Sequence, residues 1–531
     1  MENLWTLKPI PDAKVVSSLQ ESLGVAPIIA TLLAQRGINT FEEAKQFFRP
    51  QLSGLNDPFL MKDMDLAVNR LHTAISGNEK VLVYGDYDVD GTTAVSLMYL
   101  FLKNKCSHVE YYIPDRYEEG YGVSYKGIDY AKSNGFTLIV CLDCGIKAVE
   151  KVAYAKDQGI DFIICDHHRP GEKLPSAVAV LDPKRMDCNY PFKELCGCGV
   201  GFKLAQAYHQ YFNLRFEDLI PLLDLVVVSI AADIVPIIDE NRVLAFYGLQ
   251  QLNSNPRIGL KALMTVANRK EIFNISDVVF GLAPRINAAG RIEHGNKAVE
   301  LLVQEDFSQA KVKAEYIDKH NLTRKELDQN ITKEALEKIV PNAKTTVVFS
   351  EKWHKGVVGI VASRLIETHY RPTIVLTESH GKLTGSARSV SGFDVYNAID
   401  SCSNLLEQFG GHKYAAGLTL KKENLEAFIK QFEQVVSETI TSEMLTPKIS
   451  IDLEMSIADI NKKTYRIIEQ MAPFGPANSM PVFMVKGMID NGTGRLIGQE
   501  KNHLKLALTD SDNSKTLDGI GFGMSDRFPM V

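Results

Sequence analysis

The acidic residues of this chain gather where apolar runs of strand length stop. Residues 81–84 (Val-Leu-Val-Tyr) lead straight into Gly85-Asp86-Tyr87-Asp88-Val89-Asp90-Gly91, residues 138–142 into Asp143, and residues 162–165 into Asp166-His167-His168. Another apolar run, 226–232, delivers Asp233. Carboxylates held together repel one another and raise each other's pKa values. Divalent cations remove that penalty. Oxygen ligands with an imidazole suit Mg2+ or Mn2+, and the nitrogen tilts the choice towards Mn2+. Two such ions about 4 Å apart serve the attacking and leaving oxygens of phosphoryl transfer. The chemistry these residues point to is metal-dependent cleavage of phosphodiesters.

Each piece also has a plainer reading. The DxDxDG run is similar to a calcium loop, but the twelfth position counted from Asp86 is Leu97, where such a loop needs an acid. A lone aspartate after a strand is commonly a helix N-cap, which describes Asp143 taken alone, and a DHH tripeptide alone could be a surface turn. What argues against these readings is their occurrence in order on successive strands.

The elements that must position these residues alternate. Strand-length runs at 81–84, 109–113, 138–142, 162–165 and 178–181 are separated by helix-length segments such as 92–102 and 146–156. That alternation predicts a parallel sheet with crossover helices, and ligands of such sheets bind beyond the carboxyl ends of the strands. Residues 1–75 read as a mainly helical N-terminal segment, and 76–250 as the catalytic α/β domain. A helical region at 251–340 ends in one or two long helices, either a connector between lobes or an ordinary surface pair. A second α/β lobe covers 341–445, with strands at VVF, TIVL and LTGSAR and a helix over 357–366. Residues 446–531 read as a small β unit that stops just after a strand-like run, as an incomplete C-terminus would.

Together GDYDVDGTT, LDCG, DHH and AADIVP resemble the four ordered motifs of the DHH phosphoesterase superfamily. The match is closest to its RecJ branch of single-strand-specific DNA exonucleases. PDRYEEGYG at 114–122, PRINAAGR at 284–291, WHKGVVGIVASRL at 353–365, SARS at 386–389 and GGHKYAAG at 410–417 extend the resemblance over about 80–530. It implies a two-lobed α/β fold joined by a long helix, with a C-terminal OB-like barrel. It implies two Mn2+ or Mg2+ ions held by Asp86, Asp88, Asp143, His167 and Asp233. His168, Asp166 and Asp90 join the catalytic set, His168 meeting the scissile phosphate and Asp166 orienting its neighbours. Relatives often carry a histidine where this chain has Tyr84, which bears on the second metal site.

On the substrate side the resemblance assigns phosphate contacts to Arg116, Arg285, Asn287 and Arg291, with Lys355, Arg388, Gly410, Gly411 and His412 from the second lobe. The forked guanidinium suits phosphate, and paired glycines let backbone approach a ligand. Arg285 reads equally as one half of an ion pair. Tyr396, Phe409 and Tyr414 either stack bases or belong to the core. Arg495, Lys501 and Lys505 of the barrel would follow a single-stranded backbone. The implied activity is 5′-to-3′ removal of mononucleotides from single-stranded DNA in repair and recombination, with a single-strand-binding protein and a helicase as candidate partners.

The 531 residues carry a formal charge of −6, with 59 Lys and Arg against 65 Asp and Glu. This argues against whole-surface attraction to nucleic acid but leaves room for a local basic groove. No apolar run is long enough to span a membrane, and the N-terminal residues lack the basic stretch followed by an apolar one of a secretion signal, so the cytoplasm is expected. Eight cysteines do not suggest a disulfide scaffold. Cys141 with Cys144, and Cys196 with Cys198, fall short of the paired arrays of structural zinc. Three other readings stand beside the exonuclease: a phosphodiesterase for short oligonucleotides or cyclic dinucleotides, a non-catalytic replication scaffold, and a pyrophosphatase. The long connector and β unit weigh against the first and the intact acids against the second. Chain length and Tyr84 weigh against the third.

Overall fold

Residues 81–85, Val-Leu-Val-Tyr-Gly, are buried without exception, as expected for a parallel strand covered on both faces. In the computed structural model, which describes residues 3–268, 272–510 and 515–530, this strand is β1 (Val81–Gly85). With β2 (Val109–Tyr112), β3 (Leu138–Leu142), β4 (Asp161–Cys165) and β5 (Ala179–Leu181) it forms one parallel sheet of order β2-β1-β3-β4-β5. Val81 and Val83 pack with Met64, Val68, Leu71 and Phe101 on one face, and Leu82 and Tyr84 with Val123, Ile128 and Phe136 on the other. The strand order reverses between β1 and β3, and a crevice opens beyond the strand ends at such a switch. Asp86 and Asp143 follow those two strands.

Helix α1 (Val89–Lys103) starts three residues earlier than the apolar pattern predicts, because Asp88 acts as its N-cap and accepts from the Gly91 amide at 3.0 Å. A Cβ on Gly91 would stand 2.4 Å from the Asp86 carbonyl oxygen, so glycine lets the helix begin against the strand end. Helices α2 (Gly197–Tyr211) and α3 (Leu223–Ala232) pack on α1. All three are buried almost all round, which suits an inner layer. Helix α4 (Ala283–Ile292) leads to α5 (Phe307–Glu337), a 31-residue helix about 46 Å long at 1.5 Å per residue. Its buried positions Ala310, Ala314, Ile317, Asn321, Asp328, Ile331 and Ala335 recur every three, four or seven residues. That is one stripe, packed on α4 at its start and on α6 (Val358–Thr368) further along.

The second lobe is a mixed sheet of order β9-β10-β8-β7-β6, built from β6 (Thr346–Phe349), β7 (Thr373–Ser379), β8 (Lys382–Arg388), β9 (Gln408–His412) and β10 (Ala415–Leu420). Only β6 and β7 run parallel. The segment GGHKYAAG, whose paired glycines let backbone approach a ligand, is the hairpin of β9 and β10. Both lobes lie in one compact unit, residues 51–447 with 475–478.

The other unit comprises residues 3–50, 448–474 and 479–531. Strand Leu4–Leu7 pairs in parallel with Lys448–Ile451, and Lys8 Nζ lies 2.8 Å from Asp452 Oδ1. Strand His503–Thr509 pairs antiparallel with Ile489–Asp490, Arg495–Ile497 and Thr516–Gly521. This unit, read from sequence as all-β at its C-terminal end, also holds helix Lys462–Gln470 and three N-terminal helices, whose Leu19, Ile29, Leu32 and Leu33 share a core with Met471. Among the described residues no helix is long and apolar enough to cross a membrane.

One buried ion pair anchors α2. Lys203 and Glu240 are fully enclosed with Nζ and Oε1 3.0 Å apart, and Lys203 also donates to the Asn56 carbonyl at 2.7 Å. Glu240 accepts from the Asn56 amide at 2.9 Å and from the Tyr190 hydroxyl. Removing one partner of such a pair strands a buried charge. Glu240→Ala should therefore lose about 3–5 kcal/mol of stability, read by urea unfolding. A loss below 1 kcal/mol would show that Lys203 finds water without Glu240.

Candidate metal centre

The strand ends bring the expected acids together. Asp86 is wholly buried, with Oδ1 accepting weakly from the Gly122 amide at 3.4 Å and Oδ2 without a hydrogen-bond partner. Asp143 is held in a left-handed turn at φ 58°, which aspartate tolerates, and its Oδ1 also lacks a hydrogen bond. His167 Nε2 stands 3.2 Å from Asp143 Oδ1, 3.6 Å from Asp90 Oδ2 and 3.7 Å from Asp233 Oδ2. Two sets of ligand atoms, one on Asp143, His167 and His168 and one on Asp90, His167 and Asp233, each lie within 4.8 Å of one another. Asp90, expected in the catalytic set, thus stands among the ligand atoms, while Asp88 spends one oxygen capping α1.

Burial drives the electrostatics. Desolvation, then the charge of Asp88, holds Asp86 well above the usual carboxylate range. Desolvation with Asp90 and Asp88 does the same to Asp143 and pushes Asp233 up to about 8. Burial lowers His167, leaving a neutral imidazole fit to ligate. Asp90 is stabilised differently. It accepts from the Gly197 and Cys198 amides at 2.7 Å each, at the start of α2, and from Ser229 Oγ at 2.6 Å. A helix N-terminus favours a negative charge. Buried carboxylate oxygens without donors, facing a shared imidazole, fit one or two divalent cations.

Asp166 has a different task. Its Oδ1 accepts from the His167 and His168 amides at 2.7 and 3.1 Å and from His168 Nδ1 at 2.8 Å, and Oδ2 from the Ile146 amide at 2.9 Å. Burial would raise its pKa, but the His168 bond and charge prevail and hold it low. Desolvation lowers His168, but the same bond together with the charges of Asp166, Asp233 and Asp90 outweighs it and lifts the group to about 9. His168 Nε2 meets the Tyr121 hydroxyl at 3.1 Å. Asp233 ends α3, and the next residue, Ile234, takes φ 60° where glycine is usual. Tyr84 turns to the opposite face of the sheet, its hydroxyl donating to the Gly122 carbonyl at 3.0 Å and its ring stacked on Tyr112.

A cavity of about 580 Å3 opens between the lobes, lined by Tyr87, Arg116, Arg291, Lys355, Arg388 and Gly410, among others. Arg116 lies 3.9 Å from the Tyr87 ring centroid and donates to the Gly290 carbonyl at 2.9 Å. Arg291 donates to the Gly356 carbonyl at 2.9 Å, and Arg388 to Ser386 Oγ at 2.7 Å. Burial and the cations Arg116, Arg324 and Arg388 push Arg291 down to about 10, the mark of a site short of anions. Arg285 is not among the lining residues. Its Nε pairs with Asp318 Oδ1 at 2.8 Å and its Nη1 donates to the Gly281 carbonyl, which fixes α4 on α5. Asn287 lines a separate, smaller pocket. Gly411 and His412 are exposed at the tip of the β9–β10 hairpin. Phe409 lines the cavity and packs on Tyr396, whereas Tyr414 is exposed.

Sequence reasoning missed Ser229, Tyr121, Arg324 and Asp182. Asp182 had a signal, since it follows the expected strand at 178–181. It is buried, one oxygen has no hydrogen bond, and desolvation pushes it up to about 7. The glycine at 197 had another: a Cβ there would stand 2.6 Å from the Asp143 Cβ. Cys141 and Cys144 lie 3.4 Å apart, and among the described residues neither belongs to a cluster able to hold a metal.

Known proteins share this arrangement. Residues 80–230 match the DHH family N-terminal domain, 342–438 the DHHA1 domain and 451–531 the RecJ OB domain. Over 97% of its length the chain is 40% identical to the single-stranded-DNA-specific exonuclease RecJ of Bacillus subtilis, of which it spans 65%. It is 34% identical to the protein of that name in Escherichia coli, covering 94% of this chain and 89% of the relative. The crystal structure of RecJ in complex with Mn2+ from Thermus thermophilus superposes with a TM-score of 0.85 at 26% identity, over 97% of this chain and 74% of that one. A Mg2+ complex of that protein is also similar.

Two outcomes follow from the electrostatics. Carboxyls raised in the fold favour folding while protonated, so the metal-free chain should lose stability as pH rises from about 4 through the Asp233 value of about 8, and Mn2+ should restore it. Thermal melts with and without Mn2+ read this, and a metal-free melting point that climbs with pH over that span refutes it. Second, Asp166→Asn should weaken Mn2+ binding about 10–100-fold in a folded protein, because it loosens the groups behind the ligands. Unchanged affinity by calorimetry would leave Asp166 without that role.

Proposed function

This chain belongs to the RecJ family of DHH phosphoesterases, and from that premise we propose that it removes mononucleotides from the 5′ end of single-stranded DNA by metal-dependent hydrolysis. The observation that carries the reading is a buried acid–histidine cluster beside a cavity lined by three arginines, Arg116, Arg291 and Arg388. Asp86, Asp88, Asp90, Asp143, His167 and Asp233 would hold two ions, Mn2+ or Mg2+. When bound, the ions supply a water nucleophilic at neutral pH and neutralise charge on the phosphate.

The protein's own groups orient the substrate. His168, charged at neutral pH and half-exposed, offers its Nε2 donor to a phosphate oxygen of the bond to be cut in place of the Tyr121 hydroxyl, while Asp166 fixes its ring through Nδ1. Arg116, Arg291, Arg388 and Lys355, with the backbone of Gly410, bind the terminal phosphate. A 5′-terminal phosphate carries up to two negative charges and a backbone phosphate one, so a cavity with several arginines favours the end of the strand. Asn287, Gly411 and His412 are kept as secondary contacts, and Arg285 is assigned to structure. Arg495, Lys501 and Lys505 would guide the strand in the C-terminal unit.

Along the chain the domains are 1–75, 76–250, 251–340, 341–445 and 446–531. The activity belongs to repair and recombination in the cytoplasm, with a single-strand-binding protein and a helicase as partners. Eight free, buried cysteines suit a reducing compartment. The test uses 5′- and 3′-labelled single strands with Mn2+ beside Asp143→Ala. Release of 5′ mononucleotides, sparing of duplex, and a loss of at least 1,000-fold (about 4 kcal/mol) in the variant are expected. Cutting of dimers to pentamers alone would replace this reading with a short-oligonucleotide phosphodiesterase.

A further inference from the structure

A second, smaller cavity of about 170 Å3, partly open to solvent, is lined by residues of α3, α4, α5 and α6. Its polar lining is Asn287, Arg291 and Arg324, its apolar lining includes Ala232 and Ile360, and no carboxylate lines it. We infer that this pocket is a small-oxyanion site that receives the phosphate of the released mononucleotide, an inference that rests on the exonuclease reading for its ligand and not for its existence.

Charge accounting supports an anion here. Arg324 Nη2 donates to Asn321 Oδ1 at 2.9 Å, while its Nε is buried without a hydrogen-bond partner. The charge of Asp328 on the same helix acts on Arg324 and is shared with Arg364, whose Nε lies 2.8 Å from Oδ1, and Asp328 does not line the pocket. Arg291 donates only to a neutral carbonyl, that of Gly356. Two guanidinium groups therefore face one small space with no acid lining it, and leaving the buried Arg324 Nε without an acceptor is costly. A tetrahedral oxyanion offers acceptors to both arginines and to the Asn287 amide at once.

Size and position select the ligand. Pockets for drug-sized molecules span about 300–1,000 Å3, so this one admits a phosphate group and leaves a nucleoside outside. Ala232 immediately precedes the ligand Asp233, which sets the pocket against the metal centre, and Arg291 lines both this pocket and the larger cavity. Hydrolysis leaves the attacked phosphate on the shortened strand and frees the nucleotide whose 5′-phosphate sits in the larger cavity, and that phosphate can pass to Arg324 without leaving the reach of Arg291. The position makes the pocket a product site, and occupation by product would slow turnover.

Inorganic phosphate, titrated calorimetrically into the full chain without added metal, tests the inference. Two sites are expected, one in each cavity. Ile360→Phe, which fills the small pocket and keeps every arginine, should abolish one site and spare the other. Arg324→Gln should weaken the same site at least tenfold, Arg324→Lys should weaken it less, and Arg388→Ala should affect only the other site. Melting points read beside each titration separate loss of the site from loss of the fold. A phosphate stoichiometry unchanged in both folded Ile360→Phe and folded Arg324→Gln overturns the site. A deoxynucleoside 5′-monophosphate should displace phosphate from the Ile360-sensitive site. Failure to do so overturns the product assignment and leaves a site for free phosphate. A chain that binds phosphate there yet cuts no DNA overturns the exonuclease reading alone.

Discussion

Mutual repulsion among carboxylates at one edge of a parallel sheet governs this molecule. Asp86, Asp90, Asp143 and Asp166 are buried together, with Asp88 and the more exposed Asp233 at their rim, and in such a region like charges interact far more strongly than in bulk solvent. The fold answers in two ways. Asp90 and Asp166 receive three and four donors respectively, so their charge is matched by fixed protein groups. Asp86 and Asp143 keep an oxygen without a donor and are pushed towards the neutral form. The first pair therefore shapes the site permanently, and the second pair is charged when a cation arrives. The same division separates a positioning acid from a ligand, with Asp90 close enough to His167 to serve as both.

Across the cavity the problem has the opposite sign. Arg116, Arg291 and Arg388 line it, and the hydrogen bonds of Arg291 and Arg388 go to neutral oxygens. Acids short of cations thus face cations short of anions. The two sets could neutralise each other only by collapsing together. The rigid sheet, the buried helices α1 to α3 and the long α5 hold them apart. What fits between them is a polyanion carrying divalent metal. The net charge of −6 conceals this arrangement, because segregation of charge, not its sum, creates the binding field.

The site was legible in the sequence wherever chemistry coincided with a strand end. Asp86, Asp143 and Asp166 each terminate an apolar run, and strand direction alone delivers them to one edge. Asp182 obeys the same rule and was overlooked because no motif drew attention to it. Arginines were not legible in this way. Arg285 and Arg291 sit six residues apart on the same helix, yet one is neutralised by Asp318 and the other faces the cavity. Only the position of α5 decides which. Ser229 and Arg324 lie in the middle of helices, where a polar residue gives no local sign of its partner. The pairing of Leu4–Leu7 with Lys448–Ile451 was beyond local reading altogether, since a four-residue strand carries no record of a partner so distant in sequence.

Backbone strain completes the account of how the acids are presented. Asp143 at φ 58° and Ile234 at φ 60° both occupy left-handed conformations beside the metal-binding region. For the β-branched Ile234 that conformation is a true outlier, with a cost of order 1–3 kcal/mol. A relaxed turn after α3 would have been open to glycine or asparagine. The strained one sits directly after Asp233, at the end of a helix whose residues 223–231 are all buried. Packing on every side of α3 over-determines its path, so the strain is absorbed by the core rather than relieved by movement. A loosely packed helix would not keep Asp233 beside Asp90 and Asp143, because ionisation of each carboxyl raises the cost of the next and would favour moving its end outward. The dense apolar layer and the strained turn are therefore parts of one device that keeps charges near each other before the cation that reconciles them has bound.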